Sequence, residues 1–357
     1  MKKLYSLIMA VLLIIPALKT FAQSSSSNDG DFSDLIKSNA ADATKLMQAY
    51  ASPMFKGFGI GLNSGWNNTA KTKKLLHFDL RITANVAKVP DKDQSFDVTQ
   101  IGLSKQVSVA ATSPTKIAPT FGNNSDAATP IMSINDVNGT PTTKTFTMPK
   151  GVFNYIPAPN IQLTVGLVHN TDVTLRITPT IKLGDDGGSV SLFGFGFKHN
   201  IIQDFAKKGI PKPFDLAIAV NYNRISYSKT LSVQPDAGTT NAGGGGTPNF
   251  SDQHIDAKFS GTNIQAIISK KLLFFTPFLS VGYQTASTDF GVLGNYPLTA
   301  TPTTYTTISN PVSINETSIS GMRADVGFQL NLAILRIYAS VSTGQYVSGN
   351  AGIGLGF

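Results

Sequence analysis

The 357-residue chain contains no cysteine. Disulfides, thiol catalysis and cysteine-ligated metals are therefore excluded, and no thiol is available for lipidation. Histidine is scarce: His77, His169, His199 and His254 are its only instances, and no two stand at metal-ligand spacing. No metal, cofactor or catalytic residue is expected, and the chain does not read as an enzyme. Beyond the first twenty or so residues no segment approaches the ~20 consecutive apolar residues of a membrane-spanning helix. Strong charge is also missing. The formal net charge is +8, and with Lys2, Lys3 and Lys19 set aside it falls to +5. No basic cluster is interleaved with aromatics, so nucleic acid is not an expected partner.

Residues 1–22 have the parts of a secretory signal: Lys2 and Lys3, an apolar run from Leu4 to Leu18, and Thr20-Phe21-Ala22 at the cleavage position. A polar spacer follows at 24–31. From Phe32 the apolar residues Leu35, Ile36, Ala40, Ala43, Leu46, Met47 and Tyr50 recur at helical spacing, with Pro53 as the expected stop. This domain reading gives a signal peptide (1–22), a spacer with an amino-terminal periplasmic helix (23–52), and a β-barrel (53–357). The helix is expected at the periplasmic mouth, against the barrel, inserted as a small plug, or on the membrane surface.

After Pro53 the period changes to two. Near the end, Ala351, Ile353, Leu355 and Phe357 alternate with Asn350, Gly352, Gly354 and Gly356. Leu76, Phe78, Leu80 and Ile82 likewise oppose His77, Asp79, Arg81 and Thr83. Strands with one apolar and one polar face, running to the carboxyl end, suit a barrel closed in lipid. Twelve strands are predicted: 55–65, 74–87, 93–109, 159–169, 171–182, 189–199, 213–227, 253–269, 271–285, 315–330, 332–343 and 345–357. A further hairpin, 131–137 with 144–148, gives fourteen as the alternative. Links alternate between short (89–92, 169–171, 269–271, 330–332) and long (110–158, 228–252, 286–314). That sorting matches tight periplasmic turns and extended outer loops. The one longer inner link carries Ile201, Ile202, Phe205, Ala206, Lys207 and Lys208, either an interfacial helix or a kinked turn. Gly243–Gly246 lacks the context of a phosphate cradle and is a linker.

The residues expected to face the lumen are Asp79, Arg81, Arg176, Arg323, Asp325 and Arg336. They either select solutes by charge or fill a narrow interior as mutual partners. Trp66, Tyr222, Tyr227, Tyr283, Tyr338 and Tyr346 are expected to form interfacial girdles. Phe193, Phe195 and Phe197 are expected on the lipid face, opposite Gly194 and Gly196. Ile353, Leu355 and Phe357 form the candidate assembly signal, offering a strand edge to the barrel-assembly machinery.

The run Ala49-Tyr-Ala-Ser-Pro-Met-Phe-Lys-Gly-Phe-Gly-Ile-Gly-Leu-Asn-Ser-Gly-Trp-Asn-Asn-Thr-Ala-Lys71 resembles the signature of a family of uncharacterised bacterial outer-membrane β-barrel proteins, a domain of unknown function. Pro213-Phe-Asp-Leu-Ala217 extends the resemblance. It implies an outer-membrane barrel and brings no catalytic residues. An amino-terminal helix leading into a barrel is also similar, more distantly, to hydrophobic-solute transporters. Outer-membrane lipid and a small solute are the other expected partners. Three functions stay open: a narrow channel for small solutes, a closed structural or surface-binding barrel acting through its outer loops, and, less favoured, a lipid-active enzyme.

Overall fold

The computed structural model describes residues 39–356, apart from 136–137, 185–187, 206–211, 236, 244–247 and 302. The expected signal peptide and spacer, Lys207 and Lys208, most of the Gly243–Gly246 tract and Phe357 lie outside the described residues.

Ten antiparallel strands form a closed barrel: β1 (Phe78–Lys88), β2 (Asn160–Gly166), β3 (Thr171–Lys182), β4 (Ser189–Asn200), β5 (Asp215–Thr230), β6 (His254–Ser269), β7 (Phe275–Leu293), β8 (Val312–Leu332), β9 (Leu335–Thr343) and β10 (Val347–Gly356). Each pairs with the next, and β10 returns to β1 from Asp79↔Gly356 to Lys88↔Val347. A short strand outside the ring, Tyr155–Pro157, runs beside the far end of β1. Closure gives every strand of the ring a partner on both sides, the condition for strands to cross lipid.

The period-two faces are visible throughout. Leu80, Ile177, Phe193, Phe197, Met322, Val326 and Ile353 are exposed on the outer wall, while Asp79, Arg81, Arg176, Gln265, Arg323 and Asp325 are buried inside. An apolar exterior around a polar interior inverts the soluble pattern and marks the wall as lipid-facing. No helix among the described residues is long and apolar enough to cross a membrane; the strands do so.

The strand count is ten rather than twelve, and the two misread segments have distinct causes. Residues 55–63 belong to helix α1 (Ala40–Asn63), which continues through Pro53, and Ser64 is its carboxyl-terminal cap. Residues 93–109 break into a 3-10 turn at Asp91–Asp93, strand Ser95–Asp97 and strand Val107–Val109, none of them in the barrel. The fourteen-strand alternative fails for a related reason. Ile131–Asn135 does pair with Pro141–Thr147, but the hairpin joins Val107–Val109 in a separate three-stranded sheet. Losing the first and third expected strands, 55–65 and 93–109, preserves the parity of everything after residue 159. It reverses β1, so 89–92 opens the long loop instead of forming a short turn, and His77 lies at the opposite end from the one expected.

Links 167–170, 270–274 and 333–334 are tight, and the longer 201–214 shares their end of the barrel with the start of β1 and the end of β10. Links 89–154, 183–188, 231–253, 294–311 and 344–346 lie at the other end. Among the described residues of the longer link, Ile202–Phe205 is helical.

Helix α1 lies inside the barrel. Asn39 caps it, its side-chain oxygen accepting from the Asp42 N–H at 3.0 Å. The helix enters at the long-loop end. There the Asn39 amide donates to Gln106 Oε1 at 2.7 Å, and the Ser104 N–H donates to Asp42 Oδ1 at 2.9 Å. Ala43 and Leu46 join Val98, Val107, Ala118, Met132, Ile134 and Phe146 in an apolar cap cluster. Deeper in, Tyr50, Met54, Phe55, Ile60 and Leu62 pack on Phe259, Phe290, Ile314 and Ile319 of the wall. The half of the lumen nearest the long loops is therefore packed with apolar side chains and the opposite half is polar.

Candidate functional site: the plugged lumen

A helix with side chains is about 10–12 Å wide, and the wall of ten strands leaves it little room. Glycines solve the fit on two opposite faces. A Cβ at Gly57 or Gly61 would collide with Ile156 or Ala158, and one at Gly59 would collide with Ala286. The alternation Gly57, Gly59, Gly61 imitates a strand in sequence. In space it is a helix pressed on both sides.

The carboxyl end of α1 is held by Arg176 of β3, which is fully buried. Its guanidinium donates to the Leu62 carbonyl at 2.9 Å, the Ser64 carbonyl at 2.8 Å and Gln162 Oε1 at 3.0 Å. A cation at a helix carboxyl terminus opposes the exposed carbonyl dipoles. The same guanidinium stacks 3.8 Å from the Trp66 ring, whose Nε1–H donates to the Leu62 carbonyl at 3.0 Å. Gly194 and Gly196 of β4 make space for this indole: a Cβ on either would approach it to 3.2 Å. Their partners Phe193, Phe195 and Phe197 face outward as expected.

Trp66 is thus an interior residue, not a girdle residue. Tyr227, Tyr338 and Tyr346 are likewise buried, whereas Tyr283 is exposed on the outer wall. The phenols are recruited inward as hydrogen-bond donors. Tyr338 donates to both carboxylate oxygens of Asp79 at 2.9 Å, and Tyr346 donates to Asp93 at 2.7 Å.

The six lumen candidates all lie inside the barrel, in three separate arrangements. Arg323 and Asp325 form a pair at 2.6 Å, completed by Ser280, Ser342 and Gln284. Among the described residues no carboxylate pairs with Arg176, which serves the helix end. Asp79 collects Arg81, Arg336 and also Lys73, at 3.6, 3.1 and 3.2 Å. Sequence reading missed Lys73, Lys198 and Asp172, which pairs with Lys198 at 2.9 Å. Inward parity on β3 and β4 contained the signal for Asp172 and Lys198. Lys73 sits in the irregular segment 64–77, where no period exists. Also missed was a row of buried amides: Asn63 Oδ1, Asn221 Nδ2, Asn223 Oδ1 and Asn263 Oδ1 have no hydrogen-bond partner.

Among the histidines, His199 Nδ1 lies 3.0 Å from Thr171 Oγ1 and its Nε2 lies 2.7 Å from Asp204. This hydroxyl–imidazole–carboxylate row ties two exposed links together, and the Thr171 hydroxyl also meets the His169 carbonyl at 3.0 Å. No group of three or more metal-ligating side chains occurs among the described residues. Ile353 and Leu355 of the candidate assembly signal are exposed on the outer wall of β10.

In the cap, burial raises the phenols of Tyr296 and Tyr346 well above the ordinary tyrosine range; the bond to Asp93 adds to the second. Hydrogen bonds from Thr99 hold the Asp97 carboxyl below its usual value. Lys56 of α1 reaches Asp93 at 3.1 Å, so helix, cap and the β9–β10 link meet at one carboxylate.

A family model described as a family of unknown function (DUF6588) matches residues 1–357. The chain belongs to that family. No curated protein matches the sequence. Among solved structures it is similar to the translocator domain of the autotransporter NalP from Neisseria meningitidis (8% identity, 80% of this chain and 90% of that one, TM-score 0.30). It is also similar to the outer-membrane protease OmpT from Escherichia coli (9%, 83% and 100%, 0.27) and to Ail from Yersinia pestis (9%, 79% and 98%, 0.24). Likenesses this distant pass no function and no site residue to this family member.

Proposed function

We propose that this protein is a sealed outer-membrane barrel that acts at the cell surface through its outer cap. The observation that carries this reading is the polarity of α1. Its Asn39 end is bound into the long loops, and its Asn63 end points down the lumen toward the tight turns. Long loops face outward and tight turns face the periplasm in barrels of this class. The helix therefore fills the channel axis and makes the residue-39 end part of the outer face. That departs from a helix seated at the periplasmic mouth.

The missing cysteines supply a clean test. Ala41 in the cap and Lys271 in a short turn are both exposed. In intact cells a membrane-impermeant maleimide should label Ala41→Cys and leave Lys271→Cys untouched until lysis. The opposite pattern would refute the orientation.

One observation favours a second reading, a gated channel for small polar solutes. The unpartnered atoms Asn63 Oδ1, Asn221 Nδ2, Asn223 Oδ1 and Asn263 Oδ1 call for water, so the lower lumen is wet beneath an apolar plug. Planar-bilayer recording separates the two. The sealed barrel gives no steady openings in the whole protein, whereas a channel conducts without removal of the helix.

A further inference from the structure

Where the lumen opens among the tight turns, four cations meet two carboxylates. Lys73, Arg81 and Arg336 converge on Asp79, and Lys198 pairs with Asp172, whose second oxygen accepts the Lys73 backbone N–H at 2.8 Å. Four positive charges less two negative leave +2 in a space where every one of these side chains is at most 15% exposed. Uncompensated like charges at low dielectric repel strongly. Elsewhere in the barrel Arg323 has Asp325, and Arg176 is held by the helix carbonyls and Gln162.

Donors are also left over. Lys198, ion-paired to Asp172, donates to the Thr69 and Lys71 carbonyls, both at 3.1 Å. Among the described residues, Arg336 and the Lys73 ammonium reach no acceptor side chain other than Asp79. Arg81 uses Nη1 on the Gly65 carbonyl at 3.4 Å and stacks over Tyr338 at 4.3 Å, while its Nε–H is buried without a partner. The Arg336 guanidinium occupies the space a side chain at Gly356 would need.

We propose that this inner mouth is a binding site for a small oxyanion, a phosphate or a compact carboxylate. Lys73 and Arg336 supply the solvent-reachable donors and Arg81 the deep one. Planar guanidinium forks suit such anions because two parallel N–H bonds match two oxygens. The same phosphate chemistry could come from a lipid headgroup, but these side chains point into the lumen, so the site takes a soluble anion. The proposal is independent of the outer-face reading: maleimide labelling decides that one and leaves this one untouched.

The test is thermal unfolding of the whole protein in inorganic phosphate against chloride at matched ionic strength, in micelles and in bilayers with and without phosphatidylglycerol. Phosphate should raise the midpoint saturably in all three. Arg336→Gln should weaken the apparent affinity at least about tenfold, the scale of losing a charge-assisted hydrogen bond. Lys73→Gln provides the same readout if the arginine variant fails to fold, and Lys271→Gln, on an exposed turn, should change nothing. Equal midpoints in the two salts overturn the proposal, as does an unaltered phosphate response in both Arg336→Gln and Lys73→Gln, meaning an adventitious ion only. Loss of the phosphate effect in phosphatidylglycerol bilayers overturns the assignment to a soluble anion.

Discussion

Replacing Arg176 should release the carboxyl end of the plug before the barrel itself gives way. In Arg176→Ala the Ser64 carbonyl and Gln162 Oε1 lose a donor while remaining buried; the Leu62 carbonyl keeps Trp66. Each orphaned acceptor costs about 1–3 kcal/mol, and the stacking on Trp66 contributes about 1 kcal/mol more. Against this, a buried guanidinium without a carboxylate carries a desolvation penalty of several kcal/mol, which the variant escapes. We expect the losses to win by about 2–4 kcal/mol, because three oriented acceptors and an aromatic face were solvating the cation in place of water. The chain carries its own reporter, since Trp66 is its sole tryptophan and is buried against this side chain. Urea titration followed by Trp66 emission should show a red-shifted transition at lower denaturant in the variant. The heat-modifiable mobility of the barrel should persist. Arg176→Met, which restores volume without charge, distinguishes the causes. If it proves more stable than the parent with unchanged emission, desolvation dominates and the reasoning is refuted.

Gly61→Val would drive a branched side chain into Ala158 and cost about 1–3 kcal/mol or more by overpacking; increased protease sensitivity near the cap is the check. Asp325→Ala strands Arg323 beside Gln284 and should destabilise by about 3–5 kcal/mol, the range for breaking a buried pair, read as a lower denaturant midpoint. A folded-state phenol pKa above the unfolded value contributes stability that is present below about pH 10 and is lost as pH rises through the folded value. Tyr296→Phe should therefore remove one late-ionising phenol from an alkaline absorbance titration and soften the alkaline fall in stability of the cap; an unchanged titration curve would count against burial as the cause. Leu355→Asp places a charge on the lipid face of the closing strand and should reduce the folded fraction recovered from outer membranes. Normal assembly of that variant would argue against β10 as an assembly signal.

Much of the wall was legible because a strand between lipid and water must alternate. Phe193, Phe195 and Phe197 against Gly194 and Gly196, or Met322 and Val326 against Arg323 and Asp325, admit no other reading. The same rule misled at 55–65, because glycines spaced by two satisfy a strand pattern and a helix squeezed on opposite faces equally well. Pro53 reads as a terminus because an interior proline costs about 3 kcal/mol; the core that Phe55, Ile60 and Leu62 build beyond it outweighs that cost. The inward turn of Trp66 was illegible. Only the paired ring of Arg176, Gly194 and Gly196, distant in sequence, creates its pocket. The inner-mouth cations were half legible, those on strands by parity and Lys73 not at all.

The order of elements along the chain bears on how the interior comes to be filled. Helix α1 immediately precedes β1, and the ring shuts only when β10, the final strand, meets β1 along ten residue pairs. Successive hairpins can therefore wrap around a helix already lying in place, and no finished cylinder has to be penetrated from either side. The last seam then locks its occupant in: Asn350 of β10 donates to Asn85 of β1 on the inner surface beside Gly65, the residue just past the helix cap.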